Sequence, residues 1–126
     1  MANPWNLPML EFASKARRDL RKLAKRHRED AESIRDALEE LRRGATNLDV
    51  KAVQGHPPWR RLRVGDWRVL YREMSAEEIA DVCRVRQADL RSQLGKHQAV
   101  PEDGTGWLVA RIVNRSDLDR AAANLP

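Results

Sequence analysis

Cysteine is nearly absent from the chain. Cys83 stands alone, which removes any intrachain disulfide and any zinc site built on paired thiols, and it reads as a reduced, partly buried small apolar residue. Long apolar runs are missing as well: the longest, Trp107 to Ala110, is far short of the roughly 20 residues that cross a bilayer. The opening MANPWNLPML lacks the basic and apolar regions of a secretory signal, so a cytoplasmic protein with no membrane contact is expected. Glycine and proline number only six each, and 41% of residues are hydrophobic, which argues against a collagen-like, low-complexity or fully disordered polypeptide. No Gly-rich phosphate loop, HExxH, Cys/His cluster or nucleophile elbow is found, so neither a metal nor a cofactor is expected. The 126 residues suffice for one domain, 1–126, with one modest core, and not for two.

Charge is what the chain has in abundance. Of its residues 34% are charged, with 24 Lys and Arg against 19 Asp and Glu, a net charge of +5 and a sequence pI near 10.0, a balance that favours polyanionic partners and nucleic acid first. Residues 14–28 carry eight cations and one acid, Asp19, while Ala13, Ala16, Leu20, Leu23 and Ala24 recur at helical spacing; this predicts an amphipathic helix, with Ser14 placed to cap it. Residues 29–43 reverse the charge with six acids against three arginines, and Ile34, Ala37, Leu38 and Leu41 mark one stripe that Gly44 ends. The short break between them predicts an antiparallel helical hairpin whose basic and acidic flanks attract. The cationic flank reads as a solvated or partner-facing surface.

After a loop through Gly55, His56, Pro57 and Pro58 the pattern changes to period two. Two such runs, Trp59 to Val64 and Trp67 to Arg72, flank Gly65-Asp66, which predicts a β-hairpin. A two-residue turn places Val64 opposite Trp67, Arg63 opposite Arg68, Leu62 opposite Val69 and Arg61 opposite Leu70. Leu62, Val64, Trp67, Val69 and Tyr71 then face a helical layer, and Arg61, Arg63, Arg68 and Arg72 face away. Directly opposed arginines repel, a cost that a bound anion relieves. A third strand, Trp107 to Asn114, follows the turn at Asp103-Gly104; with Leu108, Ala110 and Ile112 inward, Arg111 joins the basic face and Arg115 lies just beyond it. Leu7 to Phe12 reads as an irregular edge strand because of Pro4 and Pro8. The intervening 75–106 opens with a capping box, Ser75-Ala76-Glu77-Glu78, and predicts a helix with Ile79, Val82, Cys83, Leu90 and Leu94 on one face, interrupted by Arg86 and stopped at Gly95. A short helix or turn follows Ser116.

Five or six guanidiniums are thus expected on one sheet face, where they match phosphate oxygens; the alternative is a solvated charged face. Trp59 is a candidate for stacking on a base. His56 and His97 fall in loops; either could in principle serve as an acid or base, but each reads first as an ordinary exposed histidine.

The stretch Trp59-Arg-Arg-Leu-Arg-Val-Gly-Asp-Trp-Arg-Val-Leu-Tyr71, two charged helices before it, Asp49-Val-Lys51, and the closing Arg111-Ile-Val-Asn-Arg-Ser-Asp-Leu118 together resemble the RelE/ParE superfamily of bacterial toxins. The resemblance covers most of the chain outside 75–106. It implies an α+β fold, a helical hairpin packed on a small twisted, mostly antiparallel sheet, here with a helical insertion between the last two strands. It also implies a cognate antitoxin that occludes the basic face, and operator DNA reached through that antitoxin. In the RelE branch the face cleaves messenger RNA on the ribosome with basic residues in place of a metal. Position for position, this implies catalytic roles for Arg61 and Arg68 and RNA binding by Lys51, Arg63, Arg111 and Arg115. In the ParE branch the same scaffold inhibits DNA gyrase, and a third reading is a family member that only pairs with its antitoxin and represses its operon. Two departures stand out: Asn114 where many relatives carry histidine, and Asp119 where they carry tyrosine.

Overall fold

The computed structural model describes residues 8–93 and 105–126, with the side chains of 86–93 excepted. Trp5, Gly95, His97, the Asp103-Gly104 turn and the side chains of Arg86 and Leu90 lie outside the described residues. The chain order is β1 (Met9–Phe12), α1 (Ser14–Arg26), α2 (Arg28–Arg42), β2 (Val50–Ala52), β3 (Arg60–Val64), β4 (Trp67–Glu73), α3 (Ala76–Gln93), β5 (Gly106–Asn114), a 3₁₀ turn (Arg115–Asp117) and α4 (Leu118–Ala123). The strands form one sheet in the order β1-β5-β4-β3-β2, antiparallel except for the edge pair β1 and β5.

The helical hairpin forms where the apolar spacing places it. Ala16 and Leu23 of α1 and Ala31, Ile34 and Leu38 of α2 are buried against Leu62, Val69, Tyr71, Val109 and Ile112 of the sheet. Gly44, at φ 81°, ends α2 in a Schellman motif: its N–H donates to Leu41 O at 3.1 Å and that of Ala45 to Glu40 O at 3.0 Å. Two expectations need correction. Ser14 is the first helical residue, and Ala13 occupies the cap position with no side-chain bond. Among the described residues no ion pair joins α1 to α2: Arg28–Glu32 and Arg42–Glu39 lie within α2, and Asp19 of α1 reaches the sheet.

The β3–β4 hairpin has the expected register, with Arg63 opposite Arg68 and Val64 opposite Trp67. Gly65 has φ 58° and Asp66 does not share a positive φ, the pattern of a type II′ turn. Residues 50–52, which carry no strand signal in so short and polar a run, form an edge strand on β3 with Lys51 opposite Arg61.

Strict alternation fails in β5. Arg111 sits opposite Leu70 and Val109 opposite Tyr71, so Ala110 is an extra residue, a bulge. Val109 and Ile112 therefore enter the helix-side core, whereas Leu108 packs on Met9, Met74 and Ile79 near the start of α3. The expected inward set of Leu108, Ala110 and Ile112 is corrected accordingly. The second face of the sheet is also partly covered: Leu70 and Val113 are buried by Ala121 of α4 together with Val53, Leu118 and Leu125.

The bulge leaves an edge to be satisfied. β1 pairs with β5 only as far as Phe12 and Val109, after which the chain turns into α1. Asp19 takes over the bare edge, accepting from the Ile112 N–H at 2.9 Å and from Arg111 Nε at 2.8 Å and Nη2 at 3.2 Å. One carboxylate thus replaces the missing strand partner and neutralises the nearby guanidinium. Asp19→Ala should cost about 2 kcal/mol in urea denaturation, because a backbone donor and a charge both lose their acceptor. The same measurement on Asp81→Ala, whose partner Arg84 is exposed, should show less than about 0.5 kcal/mol; equal effects would contradict this role for Asp19.

Candidate nucleic-acid interface

Four of the expected arginines converge on the second face. Arg63 and Arg68 are cross-strand neighbours, Arg61 lies two residues along β3, and Arg115 follows β5 at the 3₁₀ turn. Their counterions are few and loosely held. Asp49, just before β2, meets Arg61 Nη1 at 3.3 Å and Arg63 Nη1 at 3.9 Å, and Asp66 in the hairpin turn meets Arg115 Nε at 3.8 Å. Among the described residues Arg68 has no carboxylate partner; its Nη1 donates to Gly65 O at 2.9 Å and Trp67 O at 3.0 Å. Desolvation lowers its pKa from the ordinary arginine value, and the charges of Arg63, Arg61 and Arg115 lower it further against the opposing pull of Asp49. The guanidinium is thus a cation held among cations, a position that a polyanion would stabilise.

The backbone fixes this group as firmly as the side chains do. The Arg63 N–H donates to Asp49 O at 2.9 Å, and the Arg115 N–H to Asp66 O at 2.8 Å, which ties the closing turn to the hairpin loop. Asn114 caps that turn, its Oδ1 accepting from the Ser116 N–H at 3.1 Å and Oγ at 3.0 Å. The residue that stands in place of histidine therefore acts locally on the conformation of the segment bearing Arg115.

Beside the arginines lies a hollow of about 400 Å³ lined by Lys51, Val53, Gln54, His56, Arg61, Leu118 and Asp119. The β2–β3 pairing delivers Lys51 and Arg61 to it, and α4 delivers Asp119. His56 enters from the loop between β2 and β3 and is half-buried, so it is not the freely exposed loop histidine expected. The placement of Asp49 and His56 beside the arginines depends on the three-residue β2, which has no period of its own. Among the described residues no group of three His, Cys, Asp or Glu side chains is placed to hold a metal ion.

Three other expected participants have partners of their own. Arg111 keeps the face expected of it, opposite Leu70, but its guanidinium is drawn at the sheet edge to Asp19, which raises its pKa. Arg72 forms a bidentate pair with Glu78, both contacts at 2.7 Å, and lies over the Trp59 ring, 5.3 Å from its centroid. Trp59 is only 3% exposed and donates from Nε1 to Pro126 O at 3.3 Å; packing under the C-terminal tail leaves no free ring face for a base, which corrects that expectation. Trp67, on the helix side as expected, donates from Nε1 to Asp30 at 3.0 Å.

The family model described as ParE toxin of type II toxin-antitoxin system, parDE, matches residues 10–89, and the chain belongs to that family. The fold is shared with a solved RelB-RelE antitoxin-toxin complex from Methanococcus jannaschii at a TM-score of 0.53 and 15% identity, covering 87% of this chain and 95% of that one. No curated protein matches the sequence. Among the described residues, no helix is long and apolar enough to cross a membrane.

Glu78, the partner of Arg72, fastens the start of α3. It completes the capping box of α3, accepting from the Ser75 N–H at 3.0 Å while its own N–H donates to Ser75 Oγ at 3.2 Å. The Arg72 hydrogen bonds, then the bond from Ser75, pull its carboxyl from 4.5 down to about 2. A depressed carboxylate contributes stability that is complete above the unfolded value and lost as pH falls through the folded one. Glu78→Gln keeps a capping acceptor but removes the charge, so wild type should be the more stable at pH 7, with the gap closing between pH 4.5 and about 2. A gap independent of pH in denaturant titrations would contradict the assignment.

Proposed function

We propose that this toxin is an endoribonuclease that cleaves ribosome-bound messenger RNA and so arrests translation, using fixed cations in place of a metal. The observation that carries the reading is Arg68, hemmed in by Arg61, Arg63 and Arg115 with only loosely paired carboxylates nearby. Strand cleavage by an adjacent 2′-hydroxyl places additional negative charge on a pentacovalent phosphorane. Guanidiniums already held in place stabilise that charge without reorganising. Arg61 and Arg68 would serve the phosphorane, while Lys51, Arg63 and Arg115 position flanking phosphates. Arg111 and Trp59 have no part in this reading, since both are engaged elsewhere.

A cognate antitoxin would cover the same face, for which an acidic segment has the matching charge, and operator DNA would be reached through that antitoxin. The complex formed by the RelE neighbour supports such a partner. Synthesis in the cytoplasm, where ribosomes are, fits this role. A second reading, inhibition of DNA gyrase without RNA chemistry, draws support from the ParE description of the matching family model.

Mapping of message 5′ ends after induced expression separates these readings: in-frame cuts are expected, whereas supercoiling inhibition without cuts would replace the first reading with the second. Arg68→Ala, checked for folding by circular dichroism, should slow cleavage about 100- to 1,000-fold. Unchanged cleavage would remove Arg68 from the mechanism.

A further inference from the structure

We infer that His56 accepts the proton of the attacking 2′-hydroxyl, in the hollow it shares with Lys51, Arg61 and Asp119. The inference rests on the RNA-cleavage reading and supplies a group that the arginines cannot. A guanidinium remains protonated at every physiological pH and cannot take up a further proton. Asn114 does not titrate and is occupied in capping the 3₁₀ turn. Among the described residues lining the hollow, His56 is the side chain whose ordinary titration falls between pH 5 and 8.

The geometry places it where such a group is useful. The 54–58 loop is pinned at both ends of the histidine: the His56 N–H donates to Val53 O at 3.1 Å, and the Trp59 N–H donates to His56 O at 2.9 Å. Trp59 is itself buried, so the loop is anchored to the packed interior and does not hang from an exposed turn. The charged groups facing His56 across the hollow are Lys51 on β2, Arg61 on β3 and Asp119 on α4. At about 400 Å³ the hollow has room for a ribose and its 3′-phosphate beside Arg61.

The step balances without a co-reactant. The 2′-oxygen gives its proton to the imidazole and forms a bond to phosphorus; the bond from phosphorus to the 5′-oxygen breaks, and its electron pair stays on that oxygen. The 5′-oxygen takes up a proton, and imidazolium returns its own to solvent. The products are a 2′,3′-cyclic phosphate and a 5′-hydroxyl end.

The test is single-turnover cleavage by the full-length chain of a labelled message in programmed ribosomes, followed from pH 5 to 9. Wild type should lose activity on the acid side with unit slope as imidazole is protonated. His56→Gln should cleave at least about 100-fold more slowly and lose that limb. A His56→Gln variant that folds and cleaves at the wild-type rate overturns this inference and leaves the ribonuclease reading intact, whereas no cleavage by wild type removes both. If His56→Gln fails to fold, a wild-type profile without an acid limb overturns the inference by itself.

Discussion

The register of the β3–β4 hairpin is the constraint on which the remainder depends. Gly65 supplies the positive φ of a two-residue turn, and side chains then alternate with no freedom to choose faces. Leu62, Val69 and Tyr71 are committed to the helix-side core, and the same step commits Arg61, Arg63 and Arg68 to the opposite side. A slip by one residue would bury guanidiniums beneath α1 and α2. The hydrophobic effect that secures the core therefore also enforces an electrostatically unfavourable arrangement of arginines, and the unfavourable part persists because the favourable part is larger.

The chain then sorts its arginines by the carboxylates within reach. At the two ends of the sheet the pairs are close: Asp19 takes Arg111 and Glu78 takes Arg72, each carboxylate also accepting a backbone N–H. These two arginines belong to the architecture, one closing an open strand edge and the other fastening the start of α3. In the middle, Asp49 hydrogen-bonds Arg61 at 3.3 Å but stands 3.9 Å from Arg63, and Asp66 stands 3.8 Å from Arg115; these last two pairs are exposed, so solvent and salt screen much of their attraction. Such counterions hold the cations in place without saturating them, and a phosphate backbone can displace them at little cost.

Much of this organisation is legible in the sequence. The helical spacing of residues 16–24 and 31–41, the capping box at Ser75 and the Gly-Asp turn each report a local rule that the fold obeys. Two things are not legible. The bulge at Ala110 depends on how β5 pairs with β4, and the bond from Arg111 to Asp19 joins residues 92 positions apart in sequence. The hollow depends on β2, whose three residues are held by pairing with β3 and not by any propensity of their own. His56 and Asp119 meet there only because tertiary structure brings a loop and a C-terminal helix together. Asn114 illustrates the same limit: the substitution is visible in the sequence, but its capping bond to Ser116 is not.

The central claim is that excess positive charge on one sheet face receives a multiply negative chain. The most direct measurement is affinity for a single-stranded RNA oligonucleotide across a range of salt concentrations. Displacement of counterions by four or five phosphates predicts a slope of log K against log salt of about −3, shallower by roughly 0.7 when Arg115 is replaced by Gln. A slope near zero, or one that the substitution leaves unchanged, would contradict the account.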